Sequence, residues 1–280
     1  MPSVPRCPAG WHALSAKRAG VAESWFSLGR KDQDEVLEVA AGRSGRPAHL
    51  LEKDIWIVWA LSAICKSPLA DKLTFKGGTS LSKVYKIIDR FSEDIDLTCD
   101  IRELVPDLLR EGNPIPASSS QEKITRAVRS RLPAWIKNTV KPVIEADLAK
   151  RGSQATLTIS GKDNDNLIVA YQAVKTGTGH AAPTIRLEFG ARSTGEPHHT
   201  HRTVCDIASV MDGVEFPTAE PLVMAAERTF WEKATAAHVY SLQGHIRTDH
   251  FEMALNDRLL AMDVAMHKSM FFAEKDQDDF

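Results

Sequence analysis

Two aspartates two residues apart, in Ser92-Glu93-Asp94-Ile95-Asp96-Leu97, are the residues of this chain whose types and spacing most directly imply chemistry. On a strand, residues i and i+2 point to the same face, so Asp94 and Asp96 project together while Ile95 and Leu97 turn toward the core. Two carboxylates held side by side repel each other unless a cation joins them. Mg2+ takes oxygen ligands and commonly couples one or two carboxylates to substrate phosphates, so the pair reads as a metal site. A lone D-x-D is also common on a solvated strand edge, and what precedes this one tips the balance. Leu73-Thr74-Phe75 reads as a short strand running into Lys76, Gly77, Gly78, Thr79 and Ser80, with a helix after them. A glycine pair after a strand permits a tight turn and close approach to a ligand, and the helix start aims free N–H groups at an anion. Alone this phosphate signal is weak; one helix before a D-x-D it becomes a phosphate turn faced by a metal site. A third carboxylate would complete the set. In PTIRLEFGAR, Ile185, Leu187 and Phe189 share one face and Arg186 and Glu188 the other, so Glu188 is the candidate. The alternative is a surface glutamate paired with Arg186.

Several elements must hold these residues in place. LLEKDIWIVWALSAI (50–64) is apolar on most faces and predicts a largely buried helix, with Glu52, Lys53 and Asp54 clustered at its start. Leu81, Val84, Tyr85 and Ile88 recur at helical spacing, predicting about three turns after the glycine turn. RFSEDIDLTCD alternates as a strand. Residues 102–120 read as a turn-rich loop, and 121–150 as mostly helix, broken near Pro133 and Pro142. ATLTIS, NLIVAYQAV and TIRLEF then predict an antiparallel addition to the sheet. TVCDIASV reads as a further strand, Pro221 as the start of a helix to about Leu242, and 249–267 as a last helix before an acidic tail. These patterns divide the chain into a lead-in (1–45), a core (46–215) and a helical C-terminal region (216–280).

Composition bounds the partners. The 280 residues carry 35 Lys and Arg against 37 Asp and Glu, a net charge of -2, so any basic surface is local. No apolar run approaches the roughly 20 residues that span a bilayer. The start has Pro and His where a secretory signal needs an apolar stretch. The four cysteines are too far apart for a paired metal motif, which points to reduced thiols and a cytoplasmic protein without a membrane partner.

The stretch FKGGTSLSKVYKIIDRFSEDIDL (75–97) resembles the signature of the AbiEii-type nucleotidyltransferases, toxins of type IV toxin/antitoxin abortive-infection systems. LLEKDIWIVWAL before it, TIRLEFGARSTGEPH after it and AAERTFWEKATAAH (225–238) are similar to stretches of that family in the same order. The resemblance covers most of 48–240. It implies an α+β nucleotidyltransferase fold, a short mixed β-sheet flanked by helices, with a helical C-terminal part over the nucleotide. It further implies that Gly77, Gly78, Thr79 and Ser80 form the triphosphate turn, that Asp94 and Asp96 bind Mg2+, and that Lys233 contacts the phosphates of an NTP. Ser92 matches a motif serine. At helical spacing Lys233 shares the stripe of Ala226, Phe230 and Ala237, an apolar face on which a lysine needs a partner or snorkels at the edge. Lys76 and Lys83 lie near the turn and could touch phosphate or sit on the surface. The resemblance departs at the family's closing Asp: Met253 stands in its register, and either Asp249 or Asp257 substitutes or the role is lost.

By resemblance the activity is transfer of NMP from an NTP to an acceptor hydroxyl on RNA, most plausibly a tRNA end, causing growth arrest that a cognate antitoxin relieves. The alternatives are an antibiotic-modifying nucleotidyltransferase, a catalytically inactive binding module, or γ-phosphate transfer at the same site. Lys123, Arg126, Arg129, Arg131, Lys137 and Lys141 form a local basic stripe that could track RNA or simply be a solvated helix face. His180, His198, His199 and His201 lack the spacing of known metal sites.

Overall fold

The computed structural model describes residues 22–88, 91–109, 118–177, 182–234 and 249–271. After β1 (Glu23–Ser24), Trp25 is buried and stacks on Phe216. Helix α1 (Arg30–Ser44) turns Val36, Leu37 and Ala40 inward and ends at Gly45, whose φ of 70° supplies the left-handed cap. Helix α2 (Ala48–Cys65) runs through the core, as its apolar pattern predicts, with Ile55, Val58 and Trp59 fully buried. Its early charges are buried as well, and each has partners. Glu52 accepts the Val174 and Lys175 N–H groups at 2.8 and 3.0 Å, and Lys53 Nζ lies 2.7 Å from Glu93 Oε2. Asp54 pairs with Lys83 and accepts the Asp206 N–H at 2.7 Å.

Strand β2 (Leu73–Lys76) passes directly into α3 (Gly77–Lys83), which is shorter than the three turns expected. Lys86 adopts φ 56° and the Ile87 N–H turns back to Leu81 O, so the helix cannot reach Ile88. Strand β3 (Asp94–Cys99) follows, and then α4 (Ile101–Leu104), capped by the Asp100 carboxylate, occupies part of the expected loop. Helices α5 (Ser118–Trp135) and α6 (Lys141–Lys150) are continuous through a π-helical turn at Ile136–Val140 rather than broken. Lys141 N–H donates to Ile136 O five residues back, and Pro142 sits in the first turn of α6, where its missing N–H leaves no gap.

Strands β4 (Thr156–Ser160), β5 (Asn166–Ala170) and β6 (Thr184–Gly190) form the antiparallel meander read from the sequence. Short strands β7 (His198–Thr200), β8 (Thr203–Val204), β9 (Val214–Glu215), β10 (Thr218–Ala219) and β11 (Leu222–Met224) come next. Three expectations are corrected here. TVCDIASV is strand only at Thr203–Val204, because Asp206, tied to Asp54, opens a 3-10 turn. Pro221 does not open a helix: Leu222–Met224 is β11, seated between β2 and β7, and α7 (Ala226–Ala234) begins only after it. A proline just before a short apolar segment is as compatible with a strand start as with a helix start. The expected end near Leu242 lies outside the described residues, as do His180, Ala237, residues 1–21 of the lead-in and the acidic tail. The single helix expected over 249–267 is two, α8 (Asp249–Asn256) and α9 (Arg258–Phe271), separated at Asp257, whose carboxylate accepts the Leu260 N–H at 2.9 Å.

The main sheet has the order β4-β5-β6-β3-β2-β11-β7 and is mixed, with β3/β6 and β2/β11 parallel. Phe75, Ile95, Leu97, Leu187, Leu167 and Val223 are buried in one core with α2. Each such side chain stabilises the fold by about 1.5–3 kcal/mol. The architecture is thus the expected α+β one, a mixed sheet flanked by helices. Among the described residues no helix is long and apolar enough to cross a membrane, and Cys65, Cys99 and Cys205 are free thiols.

Candidate active site

Strand register brings the singled-out residues into one row. Lys76 on β2 lies opposite Asp96 on β3, Asp96 opposite Glu188 on β6, and Glu188 opposite Asn166 on β5. Residues directly opposite on neighbouring strands share a face, so the polar residues gather on the side away from Ile95, Leu97 and Leu187. Asp94 is in the next row, opposite Arg186. Helix α7 borders this face, and Lys76, Gly77, Asp96, Glu188 and Lys233 line a common cleft of about 690 Å³. Arg192, Arg228, Glu232 and Val264 are among the residues of its walls.

Burial pushes the Asp96 carboxyl up to about 6, and the negative charges of Glu188 and Asp94 add to the effect against the pull of Lys76 and Lys233. Two lysines and three carboxylates therefore act on one another across this face. Gly77 is in contact with Asp96. At its φ of 76° an added Cβ would lie 1.9 Å from Asp96 Oδ2, so only glycine lets the turn close over that carboxylate.

The rest of the turn is engaged in holding its own shape. Gly78, Thr79 and Ser80 are buried; the Thr79 hydroxyl donates to Asp94 O and the Ser80 hydroxyl to Gly77 O. Thr79 thereby fastens α3 to the first residue of β3. Lys83 points elsewhere. It is buried between Asp54 and Asp206, 3.0 Å from the latter, and with Ser92 lines a separate cavity of about 230 Å³. Burial would drive its ammonium down, yet the two carboxylates outweigh burial and hold it above the usual lysine range.

The donor chemistry fits a divalent cation: Asp94, Asp96 and Glu188 offer carboxylate oxygens on one face, and Asp96 is destabilised as an anion without added positive charge. Arg186 supplies positive charge to the other two, with Nη1 3.3 Å from Glu188 Oε1 and 3.8 Å from Asp94 Oδ1. In this arrangement no three His, Cys, Asp or Glu among the described residues are gathered closely enough to hold a metal ion. Arg186 is half-exposed and can swing outward to make room. Of the four histidines named above, His198 and His199 lie on β7, and His201 follows it, edge-on to Tyr85.

Residues not singled out from the sequence complete the cleft. Lys76 Nζ is 2.9 Å from Glu232 Oε2, and Glu232 Oε1 is 3.5 Å from Arg228 Nε. The i, i+4 spacing of Arg228 and Glu232 was a readable signal for their pairing; nothing local marked Asp263, whose Oδ2 lies 2.7 Å from Arg228 Nη1. Asp249 begins α8 and Asp257 caps α9, while Met253 is exposed. Of the basic stripe, Arg131 pairs with Asp107 and Lys141 with Glu145, whereas Lys123, Arg126, Arg129 and Lys137 are exposed. Burial, and then the neighbouring Arg129 charge, hold the Arg192 guanidinium below the ordinary arginine value, so α5 approaches the cleft wall.

A family model described as nucleotidyl transferase AbiEii toxin, type IV TA system, matches residues 59–275. No curated protein matches the chain.

Proposed function

The chain belongs to the AbiEii family of nucleotidyl transferase toxins of type IV toxin/antitoxin systems, and from that premise we propose that it transfers NMP from an NTP to an RNA hydroxyl, most plausibly at a tRNA end. The observation that carries this reading is the register-aligned Lys76–Asp96–Glu188 row, closed on one side by Gly77 and on the other by Lys233. Asp94, Asp96 and Glu188 would hold Mg2+, which supplies charge neutralisation between the phosphates.

The protein's own groups do the remaining work by position and charge. The Gly77–Gly78 backbone and Lys76 receive the triphosphate. Glu188 takes the proton of the acceptor hydroxyl as its oxygen bonds to the α-phosphorus. The bond from that phosphorus to the β-phosphate oxygen breaks, and Lys233 offsets the charge growing on the departing pyrophosphate. The exposed cations of α5 continue from the cleft wall and suit a polyanionic acceptor better than a small neutral one. Growth arrest, relieved by a cognate antitoxin, would be the cellular outcome.

The decisive experiment incubates the protein with each α-labelled NTP, Mg2+ and total bacterial RNA. Label should enter RNA of tRNA size with release of pyrophosphate, and neither Asp94→Asn nor Asp96→Asn should transfer any. Label appearing only on an aminoglycoside supplied in parallel would overturn the RNA acceptor, and full activity in either variant would overturn the metal assignment.

A further inference from the structure

A line of alternating charges runs from the polar row of the sheet to the C-terminal helix. Lys76 Nζ meets Glu232 Oε2 at 2.9 Å, Glu232 Oε1 lies 3.5 Å from Arg228 Nε, and Arg228 Nη1 meets Asp263 Oδ2 at 2.7 Å. Arg228 is the buried link, 2% exposed, and its Nη1 also donates to Glu196 O. Its Nε is buried with no hydrogen-bond partner, because Glu232 stands at ion-pair rather than hydrogen-bond distance. Arg228 is therefore held chiefly from the Asp263 side, and Glu232 remains close enough to Lys76 to bond it well.

We propose, building on the site reading above, that Asp263 is a positioning residue: by fixing Arg228 it leaves the Glu232 carboxylate to orient the Lys76 ammonium opposite Asp96. Asp263 is joined to the row through Arg228 and Glu232, and it is through these pairs that it acts on Lys76. Without its charge Arg228 turns to Glu232, its other carboxylate partner among the described residues, Glu232 gives up Lys76, and the ammonium is released into the cleft.

The test begins without nucleotide. Lys76 acetylation by an N-hydroxysuccinimide ester, followed by mass spectrometry, reads how firmly the ammonium is held. Coupling along such a chain of about 1 kcal/mol corresponds to roughly fivefold faster acetylation in Asp263→Asn. Asp257→Ala loosens the start of α9 without touching the chain and should leave the Lys76 rate at the wild-type value. An unchanged rate in Asp263→Asn, or an equal rise in Asp257→Ala, overturns the proposal, the second because it means simple undocking of the helix.

The second arm measures Mg2+-dependent binding of each of the four NTPs by calorimetry. Asp263→Asn should weaken the tightest of them by about fivefold in the wild-type background and not at all in Lys76→Met. Equal weakening in both backgrounds overturns the proposal. If no NTP binds the wild type while Lys76 acetylation responds as expected, the positioning chain stands and the nucleotide reading of the cleft falls.

Discussion

Lys83 shows how a residue beside a functional turn can be occupied by the fold instead. It has two acidic partners, the buried Asp54 and the half-buried Asp206, the second contributed from 123 positions away. Removing the cation would leave two carboxylates facing each other in the core. Lys83→Met should therefore cost about 3–5 kcal/mol, read from urea unfolding. The binding of Mg2+-NTP to the folded fraction should be unchanged. Neither partner is readable beside Lys83 in the sequence, which explains why its role was left open there. Glu52 carries a pH signature of the opposite sense from a surface acid. Burial raises its carboxyl above 4.5 despite the two backbone N–H groups it accepts. The folded state then holds the proton more tightly than the unfolded chain, so this contribution is full below 4.5 and is lost as pH rises through the raised value. Denaturant midpoints between pH 4.5 and 7 should fall less steeply for Glu52→Gln than for the wild type.

Among the elements, the strand–turn–helix–strand unit of β2, α3 and β3 was the most legible part. Its signals are local, paired glycines and the alternation around Asp94 and Asp96, whereas the spacing of Leu81, Val84, Tyr85 and Ile88 overran a helix that ends at Lys83. The alternation of β6 likewise placed Glu188 on the correct face. Strand β11 was not legible. Three apolar residues after Pro221 carry no period, and what makes Leu222–Met224 a strand is the slot between β2 and β7, a tertiary fact. The ionic chain above Lys76 was hidden for the same reason, since its members come from three elements. Gly77 is the position on which this unit most depends. In Gly77→Ala the methyl group would meet the Asp96 carboxylate at 1.9 Å and the backbone would be strained at φ 76°. The strain should cost about 1–3 kcal/mol of stability. Displacement of Asp96 should lower transfer by at least about a hundredfold, measured by label incorporation on protein that circular dichroism shows to be folded.

At the scale of the molecule, near-neutrality conceals local fields of opposite sign. The net charge of -2 sums an acidic row at the cleft floor and the exposed cations of α5 near its wall. Reversing Lys123, Arg126 and Arg129 to Glu should abolish transfer to RNA and retain Mg2+-dependent NTP binding within about threefold, since these side chains are exposed and make mainly long-range contributions. Loss of NTP binding together with transfer would instead make the stripe part of the donor site.

The sheet order also fixes when the cleft can form on a growing chain. Lys76 waits 156 residues for Glu232, and β2 remains without one of its two neighbours until residues 222–224 have been made. A fragment that ends between β3 and α7 has the aspartates and the glycine turn but lacks Lys233 and the far wall of the cleft. Synthesis itself thus orders assembly, and the cleft can close only after most of the chain's length has been translated.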